Sequence, residues 1–283
     1  MIKKKNIDLN TAKSFGEEWE KFDQTNLSYK EALERFNEYF HLFPWDSLPD
    51  NAEGIDIGCG SGRWDIFVAP RVFKLHCVEP AERAITVAKR NLSKYKNIIF
   101  HQRSLDELEI PNESMDFCYS LGVLHHVPDT LKALEKCANL LKPGAPFQGY
   151  LYYNFENKSE IFKLIWKFSD FFRRVISKSS SISKNFYCDL IALLVYLPIT
   201  NFLKFLEIIG FKVDSLPLSY YKNYSFYTMR TDSRDRFGTP VEKRFSRRDI
   251  IKMCEKSGFE KIVFSQRKPY WCFTAIKKNK AKK

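Results

Sequence analysis

The sequence predicts an α/β fold, a mostly parallel sheet with helices on both faces and one helical insertion. Three observations predict it. Gly54-Ile-Asp-Ile-Gly-Cys-Gly-Ser-Gly62 reads as a buried strand running into a tight glycine turn at the mouth of a helix. Phe73-Lys-Leu-His-Cys-Val-Glu79 is a second strand ending in an acid, the place where nucleotide-type folds grip a ribose hydroxyl pair. From 53 to 153 strand and helix patterns alternate, and such alternation builds a parallel sheet covered on both sides.

The elements follow in order. Phe15, Trp19 and Phe22 are spaced three to four apart, one face of a short helix. They serve either as a lid over the glycine turn or as a face packed on the core. A second helical pattern runs from about Tyr29 to Phe40, and Pro44 and Pro49 break the chain before the first strand. A short helix near 62–69 follows the glycine turn. After the second strand, Ala81 to Asn91 is helical. Residues 97–101 form a third strand and 115–121 a fourth. Asp129 caps a helix with Leu131, Leu134, Ala138 and Leu141 on one face, stopped by Pro143-Gly144. Pro146 to Tyr153 is a fifth strand.

Residues 154–230 leave this rhythm. From 160 to 178 the pattern is amphipathic, with Ile161, Leu164, Ile165, Phe168, Phe172 and Val175 opposite Lys163, Lys167, Arg174 and Lys178. Ser177 to Ser183 is a serine-rich break. Leu190 to Ile199 is almost wholly apolar, well short of the roughly 20 residues of a membrane span. A helix from about Pro198 to Ile209, stopped by Gly210, leads to an aromatic loop over 220–227. The α/β rhythm returns after 245. Ser246 caps a helix to Ser257, and strands over 259–266 and 270–277 form a closing hairpin. The basic tail 277–283 is expected to fray.

Composition bounds the function. The chain has 283 residues, enough for one α/β domain with an insertion. Lys and Arg number 46 against 34 Asp and Glu, a formal net charge of +12, which favours acidic partners. The seven cysteines sit singly, without a CxxC pair or an adjoining His cluster, which argues against a metal site. The N-terminus has no apolar stretch after its charges, so no signal peptide is expected and a reducing cytoplasm fits.

The motifs carry a resemblance. Ile55-Asp-Ile-Gly-Cys-Gly-Ser-Gly62 resembles the first signature of class I S-adenosylmethionine-dependent methyltransferases. The order that follows is similar too: Cys77-Val-Glu-Pro80, Glu109 to Phe117, Ser120-Leu-Gly-Val-Leu-His-His-Val-Pro-Asp129 and Leu140-Leu-Lys-Pro-Gly144. The similarity is to the broad subgroup that includes ubiquinone/menaquinone C-methyltransferases and small-molecule methyltransferases. It covers about 53–153 and 245–277. It implies a Rossmann-like methyltransferase fold with a mostly parallel seven-stranded sheet, a helical insertion after the fifth strand, and S-adenosylmethionine as cofactor.

The resemblance also implies residue roles. Gly58, Cys59, Gly60 and Gly62 pass under the methionine part of the cofactor, and Asp56 takes up its amino group. Glu79 accepts from both ribose hydroxyls and Pro80 lies near the adenine. The family usually meets the adenine edge with an acid after the third strand. This chain has Ser104 there, which leaves the Leu105 backbone or Asp106 as substitutes. Ser120 and Leu121 line the cofactor near its sulfur. Plainer readings stand beside these: Asp56 as organiser of the glycine turn, Glu79 as a solvated strand end. His125, His126 and Tyr153 are the candidates for a general base, the histidines because they titrate near neutrality. For the two histidines a structural or cofactor-shielding role is the alternative.

A dehydrogenase is disfavoured, because Arg63 occupies the third glycine position of G-x-G-x-x-G. Enzymes that methylate base amines usually carry an Asn/Asp-Pro-Pro-aromatic tetrad after the fourth strand. Ser120-Leu-Gly-Val stands there instead, which argues against nucleic acid and leaves an RNA methyltransferase as an alternative. A non-catalytic S-adenosylmethionine-binding module is another. The organisation expected is an N-terminal helical cap over 1–50, a cofactor-binding core over 51–153 and 245–283, and a lid over 154–244. Within the lid, Tyr220, Tyr221 and Arg230 are candidates to close a substrate pocket, or belong to a salt-bridged surface loop. The basic, amphipathic stretch beside an apolar one points to peripheral membrane contact through 158–209, at the inner membrane face, or to a lid docked on its own domain. The acceptor expected is a small or lipid-linked metabolite, such as a sugar of a surface polysaccharide or a quinone-like ring.

Overall fold

The computed structural model describes residues 5–156 and 158–279, so the charged extreme N-terminus and the end of the basic tail lie outside the described residues. The chain divides into two compact units: the described parts of Met1–Glu20, Leu33–Glu156 and Val241–Lys283, and those of Lys21–Ala32 and Asn157–Pro240.

The first unit opens with α1 (Leu9–Lys21, whose last residue belongs to the second unit) and α2 (Tyr29–Phe40, which enters it at Leu33). Then come β1 (Glu53–Ile57), α3 (Asp65–Val68), β2 (Lys74–Val78), α4 (Glu82–Asn91), β3 (Ile98–His101), β4 (Phe117–Leu121), α5 (Thr130–Leu140) and β5 (Pro146–Tyr150). The unit closes after the second one with α10 (Arg247–Lys256), β6 (Phe259–Phe264) and β7 (Cys272–Lys277), α6–α9 belonging to that second unit. The seven strands are ordered β3-β2-β1-β4-β5-β7-β6. β1 pairs in parallel with β2 and β4, β2 with β3 and β4 with β5, while β7 runs antiparallel to β5 and β6. Crossovers between parallel strands are right-handed as a rule, and the reversal of strand order at β1 and β4 then puts the connecting helices on opposite faces. That topology makes the carboxyl ends of β1 and β4 the switch point where a ligand sits. The sheet core is apolar throughout: Ile55, Leu75, Phe117, Phe147 and Phe273 are fully buried. Caps hold as expected, with Asp129 accepting from the Lys132 N–H at 3.0 Å and Ser246 from Asp249 at 3.0 Å. The fifth strand is shorter than the sequence pattern, ending at Tyr150.

The second unit holds α6 (Glu160–Ile176), α7 (Ser181–Ile191), a π-helical stretch Ala192–Tyr196, α8 (Leu197–Ile208) and α9 (Phe226–Gly238). Two readings of the sequence change here. The apolar run and the helix expected from Pro198 are one continuous helix, Ser181–Ile208, long and apolar enough to cross a membrane by length and composition. Pro198 is tolerated because the wider π turn absorbs its missing N–H. The charged segment after Tyr227 is a helix, α9, rather than a surface loop. Its hydrophobic pattern is silent because it buries polar groups: Thr228, Thr231, Ser233 and Arg234 are all inaccessible.

Candidate functional site

The site is built where β1 ends. Gly58, Gly60 and Gly62 all have positive φ, at 84°, 56° and 75°. The turn therefore needs residues without a Cβ. The Gly58 and Cys59 amides both donate to the Val78 carbonyl, at 2.8 and 3.0 Å, which ties the turn to the tip of β2. A Cβ on Gly60 would sit 2.7 Å from Trp19 Nε1, so the α1 indole closes directly onto the turn backbone.

Three buried carboxyl groups surround this turn. Asp56 and Asp65 are buried on β1 and at the start of α3, and Glu79 follows β2. Glu79 accepts from the Gly60 N–H at 3.1 Å and from the Ala81 N–H at 2.9 Å, one bond to each oxygen. Burial raises Glu79 to about 7 against the pull of those two amides. Burial, then the neighbouring charge of Asp65, pushes Asp56 well above its ordinary range. Asp65 is raised to about 6 by burial, moderated by the Tyr119 hydroxyl that donates to it at 2.5 Å. Asp56 Oδ2 is buried without a hydrogen-bond partner. A cluster of desolvated acids of this kind favours a cationic ligand, since positive charge restores what burial removed.

These residues fit S-adenosylmethionine. Asp56 offers a free acceptor for an ammonium group. Glu79 keeps a second lone pair on each oxygen for a pair of hydroxyls. The glycine turn leaves room for close approach. The residues that would hold the group are thus Asp56, the turn Gly58–Gly62 and Glu79. Cys59 and Pro80 flank the two acids. Ser120 donates to the Ile57 carbonyl at 2.8 Å, and it lies with Leu121 at the end of β4. Cys59, Cys77 and Asp65, far apart in sequence, bring their ligand-type atoms within 4.8 Å of one another, a proximity that the single cysteine spacings did not show.

Helix α1 resolves the aromatic stripe into two fates. Phe15 packs on His126 with ring centroids 4.9 Å apart, and the Arg63 guanidinium stacks 4.8 Å from the Trp19 ring. Both lie over the site. Phe22 is buried within the second unit against Tyr227. Ahead of α1, Asn6 donates its amide to Asp106 at 2.6 Å and exchanges side-chain and main-chain bonds with Asp129 at 2.7 Å.

Beyond β4 and β5 lies an aromatic group that sequence reasoning saw only in part. His125 is fully buried, with neither ring nitrogen bonded, and it stacks 3.8 Å from Tyr152 and 4.0 Å from His126. Burial, then the charges of His126 and Arg244, holds His125 well below its usual range, so its imidazole is neutral at physiological pH. His126 donates through Nδ1 to the Val241 carbonyl at 2.5 Å. Tyr153 bridges to Phe245 and packs on Phe155 and Tyr270; burial raises it to about 12. Tyr152 and Arg244, whose guanidinium lies 5.0 Å from the Tyr152 ring, are members that the motifs missed. The spacing of Tyr150 and Tyr152 on one side of the β5 extension was the available signal.

The substitutes for the adenine acid are differently engaged. Burial works to raise Asp106, but Lys136, the Asn6 amide and Lys132 outweigh it and hold it at about 2. Ser104 caps the short helix that contains Leu105, donating to Glu107 at 2.7 Å. The candidate substrate residues all fall in the second unit. Tyr220 and Tyr221 stand in a 3-10 turn, with Tyr221 packed on Tyr196. Arg230 forms a two-pronged pair with Asp189 at 3.0 and 2.9 Å.

Comparison with known proteins gives the class. Residues 55–144 match the family model of a methyltransferase domain. A methyltransferase assignment from Bacillus halodurans superposes with a TM-score of 0.50 at 13% identity, over 81% of this chain and 70% of that one, which shows the fold. Residues 55–144 therefore match a methyltransferase domain of the class I, S-adenosylmethionine-dependent type, set in a Rossmann-like sheet. Among curated relatives, a demethylmenaquinone methyltransferase of Bacillus licheniformis is 24% identical over 131 residues, 44% of this chain and 55% of the relative. A ubiquinone biosynthesis O-methyltransferase of Coxiella burnetii is 29% identical over 108 residues, 35% of this chain and 46% of the relative. The chain thus spans about half the length of the curated relatives it matches.

Proposed function

We propose that this chain transfers a methyl group from S-adenosylmethionine to a small or lipid-linked metabolite in a reducing compartment. One observation carries the reading: two buried acids, Asp56 on β1 and Glu79 just past the end of the adjacent parallel β2, flank a glycine turn at the switch point. When bound, the cofactor supplies a methyl group on a positively charged sulfur. The protein's share is to bind, orient and exclude water, since such transfers need little covalent help. Trp19 and Phe15 close the site from α1. His125, neutral and without a hydrogen-bond partner, is suited to take a proton from an acceptor hydroxyl or carbon acid. The quinone-pathway names of the curated relatives support a quinone-like ring among the acceptors. The seven cysteines, all free and buried, suit a reducing compartment.

Titration calorimetry with S-adenosylmethionine tests the first half of this reading. Binding is expected, and Glu79→Ala should weaken it by about tenfold to a hundredfold, the worth of charge-assisted hydrogen bonds to two hydroxyls. Labelled methyl incorporation into lipid, sugar and RNA fractions of a lysate tests the second half. Label in the lipid or sugar fraction is the expected outcome. Label in RNA alone, or binding without any product, would replace this reading with a nucleic-acid enzyme or a binding module.

A further inference from the structure

The second unit buries polar groups beside a small apolar cluster of Ile176, Cys188, Tyr196, Met229 and Phe237. Arg173 pairs with Asp170 at 2.6 Å and donates to the Thr239 carbonyl at 3.0 Å. Arg234, wholly inaccessible, donates to Asn185 at 3.0 Å, and Ser233 to the Cys188 carbonyl at 2.8 Å. Its exterior is apolar. Helix α6 turns Asp170, Arg173 and Ile176 inward and presents Ile161, Leu164, Phe168, Phe171 and Val175 outward; Phe168 is 68% exposed. The continuous helix Ser181–Ile208 repeats the arrangement. Lys184, Cys188, Ala192, Tyr196, Thr200 and Leu203 form its buried stripe, while Phe186, Leu194, Phe202, Phe205 and Ile208 face out, Ile208 at 82%. Isolated exposed apolar residues are ordinary, but contiguous faces of this size mark an interaction surface.

We propose that these two helical faces bind one leaflet of a bilayer containing anionic lipid, lying in its plane rather than crossing it. The charge argues for lipid. Lys167, Arg174, Lys178, Lys204 and Lys212 are exposed on the same stretch, whereas Asp170 is turned inward and the exposed acids Glu160, Glu207 and Asp214 are each paired with a lysine, Lys163 or Lys222. Exposed cations beside an apolar face complement anionic headgroups above an acyl layer. The same charges disfavour a second copy, because a two-fold interface sets each patch against itself and opposes like charges. The buried stripe argues for the in-plane mode. To span the bilayer, Ser181–Ile208 would have to leave α9, stripping Arg230 of Asp189 and Arg234 of Asn185. Uncompensated charges of that kind are not tolerated in hydrocarbon. The surface stands independently of the methyl-transfer reading: loss of lipid binding would leave cofactor binding in place, and the reverse.

Flotation of the full chain with vesicles of phosphatidylcholine, alone or mixed with phosphatidylglycerol, tests the proposal. The protein should float with the phosphatidylglycerol vesicles at low salt, less so as salt rises, and weakly with phosphatidylcholine alone. Replacing two outward rings, Phe168→Glu with Phe205→Glu, should lower the vesicle partition coefficient by about tenfold or more, since each change removes apolar burial and adds repulsion. Circular dichroism and S-adenosylmethionine binding should be unchanged in that variant. Where it fails to fold, Lys167→Glu with Arg174→Glu serves instead, and should reduce flotation at low salt only. A protein that stays at the bottom with phosphatidylglycerol vesicles at low salt overturns the proposal. So does a dimer in sedimentation equilibrium that the ring variant dissociates, which assigns the face to a second copy. Retention in vesicles through alkaline carbonate overturns the in-plane mode in favour of a spanning helix.

Discussion

Glu79 shows how one residue links the fold to the chemistry. Its carboxyl is raised from 4.5 to about 7 by burial. Between those values the folded state holds a proton that the unfolded chain has lost, so this group's contribution to stability falls as pH rises from about 4.5 to about 7 and is constant above. A cationic ligand favours the ionised form and releases that proton. S-adenosylmethionine affinity should therefore rise with pH up to about 7 and then level off, by at most about tenfold per pH unit for one proton. Calorimetry in buffers of different ionisation enthalpy counts the proton released. Glu79→Gln should flatten the portion nearest neutrality, leaving the lower-pH portion that belongs to Asp65. An affinity that falls with rising pH would contradict this electrostatic account.

At the scale of elements, α1 and α9 carry the predictions. The α1 indole lies against the glycine turn and under the Arg63 guanidinium. Trp19→Ala should weaken S-adenosylmethionine binding by about threefold to tenfold, the worth of an aromatic contact and a cation–π pair, chiefly through faster dissociation. Stopped-flow displacement would measure it. In α9 the close approach is at Gly238, where a Cβ would fall 1.8 Å from Arg234 Nη1. Gly238→Ala forces that buried guanidinium to move and should destabilise the second unit by about 1–3 kcal/mol, read from urea unfolding. Cofactor affinity should stay unchanged. The two helices also differ in what could be read from the chain. The spacing of Phe15 and Trp19 announced α1, because an aromatic stripe has helical period. α9 was hidden, because a helix that buries threonines, serines and arginines leaves no apolar period to find.

At the scale of the molecule, the two units each have a core of their own kind, apolar in the sheet unit and mixed apolar and polar in the helical one. A ligand that binds only the folded sheet unit stabilises it by mass action. S-adenosylmethionine at about a hundredfold over its dissociation constant should add ~2.7 kcal/mol to that unit and raise its melting temperature by several degrees. Differential scanning calorimetry would show whether the shift belongs to the transition of residues 53–153. A scan unmoved by saturating cofactor would contradict the site assignment.

The sequence by itself determined the sheet unit and the turn at its switch point. Asp56, the glycines and Glu79 are set within short strand–turn–helix segments, where local spacing fixes the relation of backbone to side chain. It also showed that α6 is two-sided. Only the tertiary structure decided which side faces inward, because hydrophobic period reports a face and not the location of the core. It alone brought Asp65 and Tyr119 to Asp56, and Arg244 to Tyr152 and His125, across distances in sequence that no motif spans. Those contacts depend on the crossing of separate elements, and their energy comes from burial and charge that exist only once the chain is packed.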